Sequence, residues 1–152
     1  MQRPTIAAIA SLTLAGCATY QMSERTIARA ERRWNDASVG SYSFDLRVNA
    51  FMVRSPCAEK TVITVVVRNA RVVSYGTCAA PPEKEAHQAS VPALFNLMRE
   101  AKRDGAPGVK AQFDETYGFP RKIEIVVMRW ATDATFTYYV DNFQRLAEWP
   151  TN

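Results

Sequence analysis

From Ser41 to Val53 the chain alternates. Tyr42, Phe44, Leu46, Val48, Ala50 and Met52 form one set, Ser43, Asp45, Arg47 and Asn49 the other, and only Phe51 breaks the polar set. Alternation with period two puts each set on its own face of a strand, so this segment predicts an antiparallel strand with one wet face. Before it, Ile27, Ala30, Trp34 and Ala37 recur at helical spacing behind Ser23 and Glu24, an N-cap hydroxyl and a first-turn acid, and Gly40 ends that helix. After it, Thr61–Arg68 and Arg71–Thr77 are rich in β-branched residues and predict two strands joined at Asn69-Ala70. Asn tolerates a positive φ and Ala does so less readily, which makes this a poor two-residue turn.

The second half repeats the order. Ala79 to Lys84 predicts a loop. Ser90 caps a second helix, with Pro92 in its first turn, Gly105 past its end, and Val91, Leu94, Phe95, Met98 and Ala101 on one face. Val109–Asp114, Arg121–Trp130 and Asp133–Asn142 alternate as three more strands, and Phe143, Leu146 and Trp149 predict an apolar cover. The order αβββαβββ, with a period of about 65 residues, reads as an internal structural repeat. The fold class is α+β: one antiparallel six-stranded sheet with two helices packed on one face.

Composition narrows the function classes. The chain has 152 residues, enough for one domain but not two sizeable cores. A net charge of +4, spread evenly, gives no basic patch of the kind nucleic acid requires. The single His argues against a zinc site or a His-based triad.

Residues 1–16 read as a lipoprotein signal peptide. Arg3 supplies the positive end, and Ile6–Ala15 is an apolar run of ten, too short to span a bilayer. Leu14-Ala15-Gly16-Cys17 resembles the lipobox of bacterial lipoproteins. The resemblance implies cleavage before Cys17, a thioether-linked diacylglycerol on its sulfur, acylation of the new amino group, and hence membrane anchoring. Residues 17–22 are then a lipidated linker and 23–152 a single α+β domain. Ala18 stands where an Asp resembles a retention signal for the inner membrane, so the expected address is the outer membrane, facing the periplasm.

Cys57 and Cys78 remain. In an oxidising compartment a pair tends to bond, and a hairpin of the two β-branched strands brings its open ends together. A structural disulfide is the leading reading, ahead of free buried thiols and, last, of reactivity or metal binding. It closes a loop of about 20 residues and contributes about 3 kcal/mol.

The segment Phe113-Asp114-Glu115-Thr116-Tyr117-Gly118-Phe119-Pro120 resembles a Tyr-Asp-x-x-Tyr-Gly-Tyr-Pro motif found in an uncharacterised bacterial family of secreted lipoproteins and membrane-attached proteins, a domain of unknown function. Trp34 followed by Tyr42-Ser43-Phe44-Asp45, the strand-turn-strand Val67 to Val73, and the helix around Leu94-Phe95 fit the same family. Departures are Asn69-Ala70 for Asp-Gly, Phe113 and Phe119 for Tyr, and the lack of an acidic cluster after the fifth strand. The motif implies no known activity. The layout also looks like envelope inhibitor and assembly-factor domains, a fold-level analogy without functional weight.

Tyr117-Gly118-Phe119-Pro120 has two readings: a hairpin connection with Gly118 at an unusual φ, or an exposed aromatic loop that docks a partner. Arg25, Arg29, Arg32 and Arg33 share one helical flank, read as a solvated face moderated by Glu24 and Glu31, with contact to anionic headgroups as the alternative. His87 sits in a polar loop and reads as solvated, while Trp130 and Tyr139 are candidates for an aromatic patch on the open side of the sheet. Asp133 and Asp141 stand too far apart to act together, and no calcium loop, phosphate-binding glycine loop or nucleophile elbow is present. The expected function is a non-catalytic, cofactor-free envelope lipoprotein that presents a sheet or turn surface to a protein partner. The alternative is a binder of a small apolar ligand lodged between sheet and helices, which needs a pocket of roughly 300 Å³ or more.

Overall fold

Two serine hydroxyls set the helix starts. In the computed structural model, which describes residues 21–50, 54–128 and 134–148, the Ser23 side chain accepts from the Thr26 backbone N–H and opens α1, Glu24–Asp36. Ser90 does the same for Ala93 and opens α2, Val91–Arg103. Each cap satisfies one of the amide groups that a helix start leaves unpaired. The Tyr42 hydroxyl accepts the Val91 N–H at 3.1 Å and ties the α2 start to the sheet. α1 ends at Asp36, before the Gly40 of the sequence reading, because Ser38 turns the chain with φ +48°.

Six strands follow the predicted order: β1 Tyr42–Asn49, β2 Ile63–Arg68, β3 Arg71–Tyr75, β4 Gly108–Phe113, β5 Pro120–Val126 and β6 Thr135–Arg145. All pairings are antiparallel, in one sheet of order β3-β2-β1-β6-β5-β4. The class and element order agree with the sequence pattern. The repeat does not carry over into space. A duplicated unit would seat β4 beside β1 as its equivalent, but β6 takes that place and β4 is an edge.

The alternating residues of β1 explain the layering. Tyr42, Phe44 and Leu46 are buried, and from β2 Ile63, Val65 and Val67 join them. Ile27, Ala30 and Trp34 of α1 and Leu94, Phe95 and Met98 of α2 are buried from the other side in the same cluster. Both helices therefore cover one face of the sheet. Between them Arg99 donates to both Glu31 oxygens, and Lys102 pairs with Glu24 at 2.8 Å.

Two departures from the alternation matter. Between Ser43 and Asp45 the β1–β6 register shifts, and Asn142 adopts φ +51° opposite Phe44. This bulge inverts the side-chain parity of β6 beyond Val140. Asn142 turns outward and donates to Asp45 at 2.8 Å, and Phe143 turns in under α1. The Asn69-Ala70 turn places both residues at positive φ, +47° and +60°. The buried Ser41 hydroxyl accepts from Asn69 N–H at 3.1 Å, and the Gly40 carbonyl accepts from Ala70 N–H at 2.8 Å, which holds the unfavourable alanine in place.

The stretch expected to be a plain loop before α2 contains a 3₁₀ helix, Glu83–Gln88. Residues 1–20, with Cys17 and the expected signal peptide, Phe51 and Met52 of the first predicted strand, and also Trp130, Asp133 and Trp149, lie outside the described residues.

Candidate functional site

The aromatic turn is built into the core. The Asp114 carboxylate accepts from Thr116 and Tyr117 N–H at 3.0 and 2.7 Å, and the Asp114 carbonyl accepts from Gly118 N–H at 3.0 Å. Gly118 has φ +82°, and a Cβ there would stand 2.3 Å from the Ala30 carbonyl oxygen of α1. Only glycine lets turn and helix approach so closely. Phe119 is 4% exposed and lies 4.3 Å, ring to ring, from Phe143, which also meets Trp34, Tyr42 and Tyr117. Pro120 is buried at the start of β5, and Tyr117 is half-buried. Of the two readings of Tyr117, Gly118, Phe119 and Pro120, the structure fits the hairpin connection, with Gly118 at positive φ; three of the four residues are buried, so the segment is not an exposed docking loop.

The other face of the sheet is polar and partly exposed. Tyr139 points outward from β6 with the Arg47 guanidinium 4.5 Å above its ring and the Lys122 ammonium 5.7 Å away. Arg47 pairs with Asp141 at 3.2 Å, and Lys122 with Glu124 at 2.8 Å. The Glu124 hydrogen bond pushes the Lys122 pKa up. Asp45 accepts from Thr64 at 2.7 Å on the same face. One tyrosine ring held between two cations makes an ordered patch of aromatic and charged surface on this face.

Cys57 and Cys78 are bonded, with their Cα atoms 5.4 Å apart. The bridge joins the approach to β2 to the segment after β3, as the hairpin reading requires. Beside it an open cleft of about 560 Å³ runs between the sheet end and the 3₁₀ helix, with Val48, Ala58, Ile63, Phe136, Tyr138 and Gln88 among its lining residues. Its inner wall is fixed by a buried relay: Gln88 Nε2 donates to the Tyr75 hydroxyl at 2.9 Å, which donates to Glu85 at 2.9 Å. Burial pushes the Tyr75 hydroxyl pKa well up, and those of Tyr42 and Tyr138 up to about 12. His87 is exposed at the cleft mouth on the 3₁₀ helix. Sequence reasoning missed this cleft because the 3₁₀ helix that walls it has no apolar periodicity, and nothing in the polar stretch marks Gln88 as buried. Among the described residues, no three His, Cys, Asp or Glu side chains converge as a metal site would need.

A family model covers residues 26–145, described as a family of unknown function, DUF6174. It spans most of the chain, so this protein belongs to that family. No curated protein matches the chain. No solved structure matches it either. No described helix is long and apolar enough to cross a membrane.

Proposed function

We propose that this protein is a lipid-anchored, non-catalytic protein of the bacterial cell envelope. It is tethered through Cys17, faces the periplasm from the outer membrane, and presents the outer face of its sheet to a protein partner. The observation that carries this reading is the Leu14-Ala15-Gly16-Cys17 box behind a charged and then apolar leader. The disulfide supports it, since stable disulfides belong to oxidising compartments. With that pair bonded to each other, Cys17 is the one cysteine left for a lipid. The partner surface is Tyr139 with Arg47 and Lys122, on the face the helices leave uncovered.

The test is labelling of the full chain, expressed in a Gram-negative host, with a palmitate analogue. Label on the natural chain and none on Cys17→Ser supports the anchor; label on neither overturns it. A second reading rests on the cleft beneath the 3₁₀ helix, whose volume exceeds what a small apolar ligand needs. A second open cleft, of about 520 Å³, lies between the end of α2 and the sheet, with Leu97, Ala101, Ile125, Phe136 and Tyr138 among its lining residues, and it is where a ligand between sheet and helices would sit.

A further inference from the structure

The backbone is fixed almost immediately after Cys17. Met22 N–H donates to the Val109 carbonyl at 2.8 Å, Gln21 Nε2 donates to the Ala106 carbonyl, and the Lys102 ammonium reaches the Met22 carbonyl at 2.6 Å. Gln21 and Met22 are therefore part of the folded unit and not linker, which leaves three residues, and so four Cα–Cα steps, between Cys17 and Gln21. An extended chain of that length spans about 14 Å. A lipid at Cys17 holds Gln21, three residues before α1, within roughly that distance of the headgroups.

The outer face of α1 has the charge to meet them. At 100° per residue, Arg25, Arg29 and Arg32 fall in one sector, opposite the buried Ile27, Ala30 and Trp34. All three are exposed, and they make no ion pair among the described residues. The acids that would moderate them are engaged elsewhere: Glu24 pairs with Lys102, and Glu31 with Arg99 of α2. Arg33 donates to the Glu115 carbonyl at 3.1 Å, and the one acid in the sector, Asp36, sits at the far end of the helix. Arg25 stands in the first turn, where the helix dipole disfavours a cation, so helix stability does not account for the stripe.

We infer that the outer face of α1 is a membrane-contact surface, on which Arg25, Arg29 and Arg32 meet the anionic phosphates of the leaflet that holds the Cys17 acyl chains. The tether argument rests on the lipoprotein reading; the charged face does not. The geometry orients the domain. Both helices cover one face of the sheet, so a bilayer against α1 leaves Tyr139, Arg47 and Lys122 pointing away from the membrane.

The test uses the full chain with Cys17→Ser, so that no acyl chain contributes. Its partition is measured on vesicles of phosphatidylcholine alone and of phosphatidylcholine with phosphatidylglycerol. The expected result is stronger, salt-sensitive partition onto the anionic vesicles, with a loss of roughly fivefold for each arginine removed and about a hundredfold for Arg25→Gln, Arg29→Gln and Arg32→Gln together. The charge-retaining lysine triple variant keeps the binding, and the thermal midpoint of both triple variants stays that of the parent. Partition indifferent to phosphatidylglycerol, or anionic binding that survives the glutamine triple variant, overturns the inference. Anionic binding by a chain that takes no palmitate label would leave the contact surface standing and remove the anchor instead.

Discussion

Gly118→Ala isolates the contact between the aromatic turn and α1. Two costs add. A side chain at φ +82° carries left-handed strain of about 1–2 kcal/mol. The smaller backbone freedom of alanine in the unfolded chain offsets about 0.4–1 kcal/mol of this. The new Cβ would also stand 2.3 Å from the Ala30 carbonyl oxygen and 3.0 Å from the Arg33 Cβ. The first of these is helix backbone, so α1 or the turn must move, at about 1–3 kcal/mol. The total is about 1–5 kcal/mol. Gly105 supplies the control, because it has nearly the same φ, +79°, and nothing within 4 Å of a built Cβ. Gly105→Ala therefore costs about 1.5 kcal/mol at most. In urea titrations of the two variants beside the parent, Gly118→Ala loses at least 1 kcal/mol more than Gly105→Ala, and its thermal midpoint falls by about 5–15 °C. Equal losses would show that the turn does not bear on α1 and would reopen it as a free loop.

Two further measurements probe the core. Cys57→Ala with Cys78→Ala opens a loop of sequence separation 21 and lowers stability by about 3 kcal/mol, read as a lower urea midpoint; an unchanged midpoint would mean the bridge constrains nothing. Alkali should unfold the protein. Tyr42 and Tyr138 have pKa values raised by burial from 10.0 to about 12, so their stabilising contribution is complete below pH 10 and is lost as pH rises through 12. Two such groups, each shifted by about two units, amount to about 5 kcal/mol. Phenolate absorbance and circular dichroism should then change together between those values, and full tyrosine ionisation near pH 10 with the fold intact would refute the burial.

The element order could be read from sequence because each signal was local. Ser23 and Ser90 cap helices through their own third neighbours, and β1 declares its two faces residue by residue. What escaped depends on contacts between distant segments. Phe143 looked like a cover beyond the last strand, but the bulge at Asn142 keeps β6 going to Arg145 and turns Phe143 into the core. Nothing near Asn142 in the chain announces that Phe44 will lie opposite. The turn at Tyr117 and Phe119 could be read from Asp114 and Gly118, but its burial could not, because the helix that covers it is some 80 residues away. Glu24 and Glu31 looked like counter-charges for the arginines of their own helix. Their commitment to Arg99 and Lys102 becomes visible only once the two helices lie side by side. The disulfide pairing needed no such information, since with Cys17 set aside one pair was left.

The anchor is tested most directly by mass spectrometry of the N-terminal peptide of the protein extracted from the envelope of its own host. The account predicts that the chain begins at Cys17 and that this peptide carries acyl chains. A chain that begins elsewhere, or an unmodified Cys17 on protein recovered from the soluble fraction, would contradict it.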